Sequence, residues 1–231
     1  MNDEKKKKYI SASQLSTFER CGLQFFFRYV ENIIIPPGVA MVKGVGVHGG
    51  AKANFKQKKE SHKDLPKKDI VEISVTEFER YAAMGVFLTP EEESVGYGKV
   101  LGQTKDSVVT LAGIFADEVA PAYQPKYVEE KHRIIVPNSE YDLLAIMDLA
   151  TEDELVVDLK TGSKKKAEAE VQTSPQLTFY SLVFKAITGH LPRAVRLEVL
   201  VDKKNPERQL LEGSRELGHL QVLIARINRM V

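Results

Sequence analysis

Three side chains near the middle of the chain are of types that do chemistry together. Asp148, Asp158 and Lys160 lie within residues 143–162, LLAIMDLATEDELVVDLKTG, which reads as two short apolar strands joined by a polar turn. Successive side chains on a strand point to opposite faces, so Asp158 and Lys160 share a face while Leu159 points away. The turn 151–154 is short enough for an antiparallel hairpin. If the loop is 152–154, Thr151 faces Leu155 and Asp148 falls opposite Asp158. If the loop is one residue longer, Asp148 falls opposite Val157 and the two acids are diagonal neighbours. Either register gathers two carboxylates and an ammonium at the end of an apolar sheet. Unpaired buried charge is costly, and two close carboxylates at neutral pH call for a cation. Oxygen ligands suit Mg2+ or Mn2+, whereas one cysteine is too few for a Cys–His zinc site. A lysine on the same face completes a set suited to phosphodiester hydrolysis. The metal would activate water and neutralise a phosphate oxygen, and the lysine would stabilise developing negative charge or orient the water. An ordinary ion pair at a strand end has the same D-x-K spacing.

Other elements must hold these groups in place. Residues 127–136, 141–150 and 155–161 read as strands, with Pro137-Asn138-Ser139 turning the first pair. Glu129 falls in the first strand, near the level of the acids. Ser174-Pro175 reads as an N-cap followed by a first-turn proline, although 168–171 offers an earlier start. The helix runs to about residue 188, and Gly189 stops it. Residues 194–201 form the next strand, so a strand–helix–strand crossover and a parallel pair follow. Residues 210–211 suit an edge strand and 213–230 a final amphipathic helix. Upstream, Ser11 or Ser13 caps a short helix that Gly22 interrupts. The run Leu23, Phe25, Phe26, Phe27, Tyr29 is expected to pack on a core. Residues 39–63 read as a helix in which Gly44, Gly46, Gly49 and Gly50 mark close approach of another backbone. Residues 66–84 and 102–123 have helical spacing, and 88–98 reads as a loop. The expected class is α/β, or α+β in looser naming, with a mixed central sheet and a helical N-terminal half. The divisions are a disordered basic tail at 1–10, a helical region carrying His48 at 11–125, and a core at 126–231.

Bulk composition narrows the setting. The net charge of +1 over 231 residues gives no global field for nucleic acid, so any basic surface is local. Lysine runs at 5–8, 56–59, 164–166 and 203–204 each read singly as solvated faces. The lone Cys21 excludes an internal disulfide and fits a reducing compartment. The sequence has no stretch of about 18 apolar residues and no apolar signal core at its start. A cytoplasmic protein is expected, with no membrane partner.

The order of these pieces resembles the PD-(D/E)XK nuclease superfamily, in particular the group with RecB and AddB nuclease domains, CRISPR adaptation nucleases and phage exonucleases. The residues that carry the likeness are Asp148, then Asp158-Leu159-Lys160-Thr161-Gly162 after nine intervening residues, then Gln176-x-x-x-Tyr180. Gly44-Val45-Gly46-Val47-His48 is similar to the group's G-x-x-x-H, and Val128-Glu129 to its V-E. Ser13-x-Leu15-x-x-Phe18-x-x-Cys21-x-x-x-Phe25 is similar to its N-terminal pattern. The likeness spans about residues 11–205. It implies a restriction-endonuclease-like core with His48, Asp148, Asp158 and the Leu159 carbonyl as metal ligands and Lys160 as the catalytic lysine. Gln176 and Tyr180, four apart on one helix face, would contact DNA or organise the site. Glu129 would be a further carboxylate or support the ligands, and Lys164, Lys165 and Lys166 would contact phosphate.

Two departures stand out. Ala145 replaces the glycine usual three before the first aspartate. Cys21 matches the first of four cysteines that hold an iron–sulfur cluster in many relatives, and one cysteine cannot build a cluster. Packing of the aromatic run would then have to hold the N-terminal segment. The resemblance implies a Mg2+- or Mn2+-dependent DNA nuclease, an exonuclease in recombination, repair or phage DNA processing, acting on linear ends or single strands. The alternatives are a structure-specific or single-strand endonuclease of the same fold, and a non-catalytic DNA-binding module. No P-loop is present, so an ATP-driven helicase, or a recombinase, would be a separate partner. A shared ion requires the Asp148 and Asp158 carboxylates to converge, with His48 approaching from the helical half.

Overall fold

A computed structural model describes residues 8–136 and 140–230; the turn expected at 137–139 lies outside them. Strand β1 (Lys8–Ser11) comes first, so residues 8–10 are not part of a disordered tail. Helix α1 (Ala12–Arg20) starts from a capping box: the Gln14 amide donates to the Ser11 hydroxyl and the Ser11 amide to the Gln14 side chain. A short helix α2 (Gly22–Phe25) and a π-helical turn at Phe26–Val30 follow. The aromatic run does not pack on a core. Leu23 is 62% exposed, Phe26 43% and Phe27 45%. A helical turn spreads consecutive side chains around its axis, so only the i, i+4 pair Phe25 and Tyr29 faces inward, with Phe25 edge-on to Phe18 at 5.5 Å. The segment is held instead by the fully buried Leu15 and by Arg226, whose guanidinium grips both Glu19 carboxylate oxygens at 2.5 Å.

The helical half comprises α3 (Val39–Ser61), α4 (Lys67–Ala82), α5 (Pro90–Val95) and α6 (Tyr97–Ile114), the last running on into a π-helical turn at Phe115–Val119. The expected loop at 88–98 contains α5, because Thr89 forms a capping box with Glu92 and Pro90 occupies the first helical position. The α3 glycines let α4 come close. A Cβ on Gly46 would lie 2.9 Å from the Ser74 carbonyl oxygen, and one on Gly50 2.7 Å from that of Ile70.

The second half adds β2 (Pro125–Val128), β3 (Lys131–Ile134), β4 (Tyr141–Ile146), β5 (Leu149–Thr151) and β6 (Leu155–Gly162). Then come α7 (Glu168–Thr173), α8 (Pro175–Thr188), β7 (Ala194–Val201), β8 (Glu207–Gly213) and α9 (Leu217–Ile227). Ser174 caps α8 and Gly189 ends it in the left-handed region at φ 90°. The crossover through α7 and α8 makes β6 and β7 parallel, and β8 closes the edge antiparallel.

The two long strands expected at 127–136 and 141–150 each break in the middle. Glu129 takes φ 46°, an uncommon left-handed conformation for a residue with a side chain, and its amide donates to the Met147 carbonyl at 2.9 Å. The chain bends there, at Glu129–Glu130 on one strand and Met147–Asp148 on the other. The result is two sheets rather than one: β1-β4-β3, and a mixed five-stranded sheet β2-β5-β6-β7-β8. One face of the larger sheet packs on α3, α4 and α6 through Val47, Phe55, Phe115, Val157 and Leu159. The other packs on α8 and α9 through Val156, Phe179, Phe184, Val199 and Leu223. Burying each such side chain contributes about 1.5–3 kcal/mol, so β6, clamped on both faces, is a rigid place for chemistry.

Candidate active site

Strand β6 lies inside the sheet between β5 and β7, and residues 155–159 are all buried. Leu149 pairs with Val157 and Ala150 with Val156. This is the register of the shorter loop, and it sets Asp148, just before β5, level with Asp158. Thr151 fixes the turn: its hydroxyl accepts from the Leu155 amide at 3.0 Å and donates to Asp153 at 2.6 Å. The strand break therefore does two things. It ends the ladder at Leu149, and it leaves the Asp148 side chain free to accept from the Leu159 amide at 3.0 Å.

Asp158 is 1% exposed, and its carboxylate takes the Lys160 ammonium at 2.9 Å. Burial pushes the Asp158 carboxyl up to about 7; the Lys160 charge opposes this and the Asp148 charge adds to it. Burial also raises Asp148, with Lys160 and the Leu159 amide pulling the other way, and the two carboxyl groups are within hydrogen-bonding reach. Asp148 keeps a fifth of its side-chain surface in solvent, so burial weighs less on it than on Asp158. His48 comes down from α3 with its Nδ1 3.7 Å from Asp148 Oδ2. Burial, then the Lys160 charge, lowers its pKa, so the imidazole is neutral at pH 7, and the Leu159 carbonyl lies beside the ring.

From the opposite face, Lys160 also donates to Gln176 Oε1 at 3.0 Å, and the Gln176 amide donates to the Tyr180 hydroxyl at 2.7 Å. Burial and the two aspartates raise Tyr180, which stays a phenol. Tyr180 is buried, and these bonds link it through Gln176 to Lys160. Glu129, at the bend, ion-pairs with Lys52 of α3. The structure thus brings His48, Asp148, Asp158, Leu159, Lys160, Gln176, Tyr180 and Glu129 together. It does not bring Lys164, Lys165 or Lys166 to them. Lys165 pairs with Glu207 and Lys166 with Glu170, and none of the three lines the clefts that open on the site.

An open cleft of about 770 Å³ between α3 and α4 leads to Lys160 and Thr161. Its walls include Lys52, Lys56, Arg80 and Tyr81, residues that sequence reasoning missed or placed on solvated faces. The signal was there for two of them: Lys52 and Lys56 follow His48 at i+4 and i+8 and so share its helix face. Below the site Glu198 is fully buried and takes hydrogen bonds from Tyr123 and Arg208, both at 2.5 Å for Oε1.

Among the described residues no group of three or more His, Cys, Asp or Glu side chains is already spaced as a metal cage. The reason is visible in the bonds: Lys160 occupies Asp158, and the Leu159 amide occupies Asp148. The donor set nevertheless fits a hard divalent cation. Two adjacent carboxylates short of positive charge, a neutral imidazole and a backbone carbonyl are suitable ligands.

A mixed sheet with helices on both faces and a D…D-x-K cluster beside a sheet corner defines a nuclease-type core. In sequence, residues 9–225 match the PD-(D/E)XK nuclease superfamily, and the chain belongs to it. No curated protein matches the chain. Among solved structures it is similar to a putative exonuclease from Eubacterium rectale, with a TM-score of 0.58 and 13% identity over 97% of this chain and 81% of that one. At that identity the likeness concerns the fold. The structure of SSO0001 aligns with a TM-score of 0.34 and 10% identity over 95% of this chain and 84% of that chain, too weak to bear on either fold or function. No described helix is long and apolar enough to cross a membrane.

Proposed function

We propose that the protein is a Mg2+- or Mn2+-dependent deoxyribonuclease that hydrolyses phosphodiester bonds, working as an exonuclease in recombination, repair or phage DNA processing inside the cell. The observation that carries this reading is the meeting of His48, Asp148, Asp158 and Lys160 at the sheet corner, at the inner end of an open cleft. His48, Asp148, Asp158 and the Leu159 carbonyl would hold the cation, which when bound supplies an activated water and charge neutralisation at the phosphate. Lys160 is the group positioned to face developing negative charge, and Gln176, fixed by Tyr180, aims it. Glu129 holds Lys52 at the cleft wall. The exonuclease assignment draws on the similar fold of the putative exonuclease.

The test compares wild type with Asp158→Ala on end-labelled linear DNA and on covalently closed circular DNA, each with Mg2+, Mn2+ or EDTA. Metal-dependent shortening of linear DNA by wild type alone is expected. Cutting of the closed circle would replace the exonuclease reading with an endonuclease of the same fold. Equal inertness of both proteins would leave a DNA-binding module.

A further inference from the structure

The site is open on two sides. One approach is the α3–α4 cleft, which ends at Lys160. The other is a separate groove of about 510 Å³ along α1 and β4, which ends at Gln176 and Tyr180. The two meet across the hydrogen-bond chain Lys160–Gln176–Tyr180, so the reacting position lies between them. We propose that the α1 groove is a subsite for single-stranded DNA, gripping the strand beyond the scissile bond on the side opposite the α3–α4 cleft. The proposal rests on the nuclease reading and adds a substrate class and the residues that select it.

The two walls of the groove differ as a single strand requires. On the α1 wall, Ser13, Ser16 and Arg20 follow at i, i+3 and i+7, one helix face about 10 Å long. Both serines are exposed, and a guanidinium presents forked donors suited to phosphate. The described arginines differ in their partners: Arg193, Arg196, Arg208 and Arg226 each face a carboxylate, whereas Arg215 donates to neutral oxygens of Val171, Ser174, Thr178 and Ser214. Arg20 has no carboxylate partner among the described residues; its Nε and Nη2 donate to the Gln24 side-chain oxygen at 3.2 and 3.0 Å. That neutral acceptor orients the guanidinium and leaves its charge uncompensated. The opposite wall is apolar and includes Tyr9, 44% exposed, and Ile146, 48% exposed. An aromatic ring and an aliphatic side chain facing a cation and hydroxyls offer a stacking surface for bases beside a seat for the backbone. Bases stacked in a duplex are not free to use it, which makes the groove selective for unpaired strands.

The experiment measures binding of a fluorescein-labelled oligothymidylate of about 16 nucleotides in EDTA, by anisotropy, so that no cleavage intervenes. Arg20→Ala is expected to weaken binding about tenfold and to lower the salt slope by about one. Tyr9→Ala is expected to weaken it several-fold at an unchanged salt slope. Arg193→Ala removes the same charge at the far end of β6 and is expected to bind as wild type does. A blunt duplex of the same length should respond to none of these changes by more than about twofold. The proposal is overturned if wild type fails to bind the single strand. It is equally overturned if Arg20→Ala and Arg193→Ala act alike, or if the duplex responds as the single strand does. A wild type that binds through Arg20 and Tyr9 but never cleaves would support the subsite while sinking the nuclease reading.

Discussion

The Leu159 backbone amide donates to the Asp148 carboxylate at 3.0 Å. This bond carries the contact between the two halves of the hairpin past the point where the β5–β6 ladder stops, and it sets the direction of Asp148. Replacing Asp148 by Asn keeps an acceptor for the amide but removes the charge. Asp148→Asn is expected to fold with nearly wild-type stability and to lose metal-dependent cleavage. Asp148→Ala leaves the amide unpaired and is expected to cost about 1–3 kcal/mol in addition. Urea unfolding of both variants, beside the cleavage assay, separates the two effects.

Asp158 sets a pH dependence for the metal-free protein. Its folded pKa of about 7 stands above the ordinary 3.8. Between these values the folded chain holds a proton that the unfolded chain has lost. This group's stabilising contribution is therefore fully present below 3.8 and is lost as pH rises towards 7. In EDTA, the change in melting temperature from about pH 5 to about pH 8 should be more favourable to the higher pH in Asp158→Asn than in wild type. Adding Mg2+ or Mn2+ at about pH 8 should raise the wild-type melting temperature and not that of Asp158→Asn. An identical pH response in the two proteins would refute the placement of Asp158.

Lys160 is aimed from behind, and this is measurable. Tyr180→Phe preserves the buried ring but removes the hydroxyl that accepts from Gln176. It is expected to slow cleavage about 10–100-fold, as loss of a supporting hydrogen bond does, with little change in melting temperature. Lys160→Ala should be slower still, and adding Tyr180→Phe to it should cost nothing more, because the hydroxyl acts only through the lysine. Additive losses in the double variant would show an independent role for Tyr180.

The α3–α4 crossing depends on glycine where backbone faces backbone. A Cβ on Gly50 would meet the Ile70 carbonyl at 2.7 Å and the Ser74 hydroxyl at 2.0 Å, whereas one on Gly49 would meet only the flexible Glu77 side chain. Gly50→Ala is expected to destabilise the protein by about 1–3 kcal/mol and to displace His48. Gly49→Ala should cost less, and thermal unfolding of the pair compares them directly.

Glu198 and Arg208 form a buried pair that also binds the Tyr123 hydroxyl. Glu198→Ala strips the partner from a cation that is only one-fifth exposed and is expected to cost about 3–5 kcal/mol. Denaturant unfolding checks this, and a cost near zero would mean that solvent already satisfies Arg208.

Local physics made part of this molecule legible from residue order. Short apolar runs bounded by turn residues marked β6 and β7, Ser174-Pro175 and Gly189 marked the ends of α8, and the glycines of α3 marked a close helix crossing. Each of these signals acts over a few residues, so the sequence by itself determined the hairpin, the crossover and the gathering of two aspartates and a lysine, while His48 entered the candidate set only through the resemblance to a known family. It misjudged features whose cause lies elsewhere in the chain. The break at Glu129 and Met147 depends on β1 and β3 drawing β4 into a second sheet. The exposure of Phe26 and Phe27 depends on there being no wall opposite them among the described residues. The positions of Lys165 and Lys166, which follow β6 in sequence, are set by their pairing with Glu207 and Glu170. Between the two hairpin registers, pairing of Leu149 with Val157 decided, and only the folded sheet contains that pairing. Tertiary structure likewise decided that His48 meets Asp148 across a hundred residues and that α1 and β4 form a groove ending at Gln176. Contacts of that range come from packing two faces of one sheet, and no short stretch of sequence encodes them.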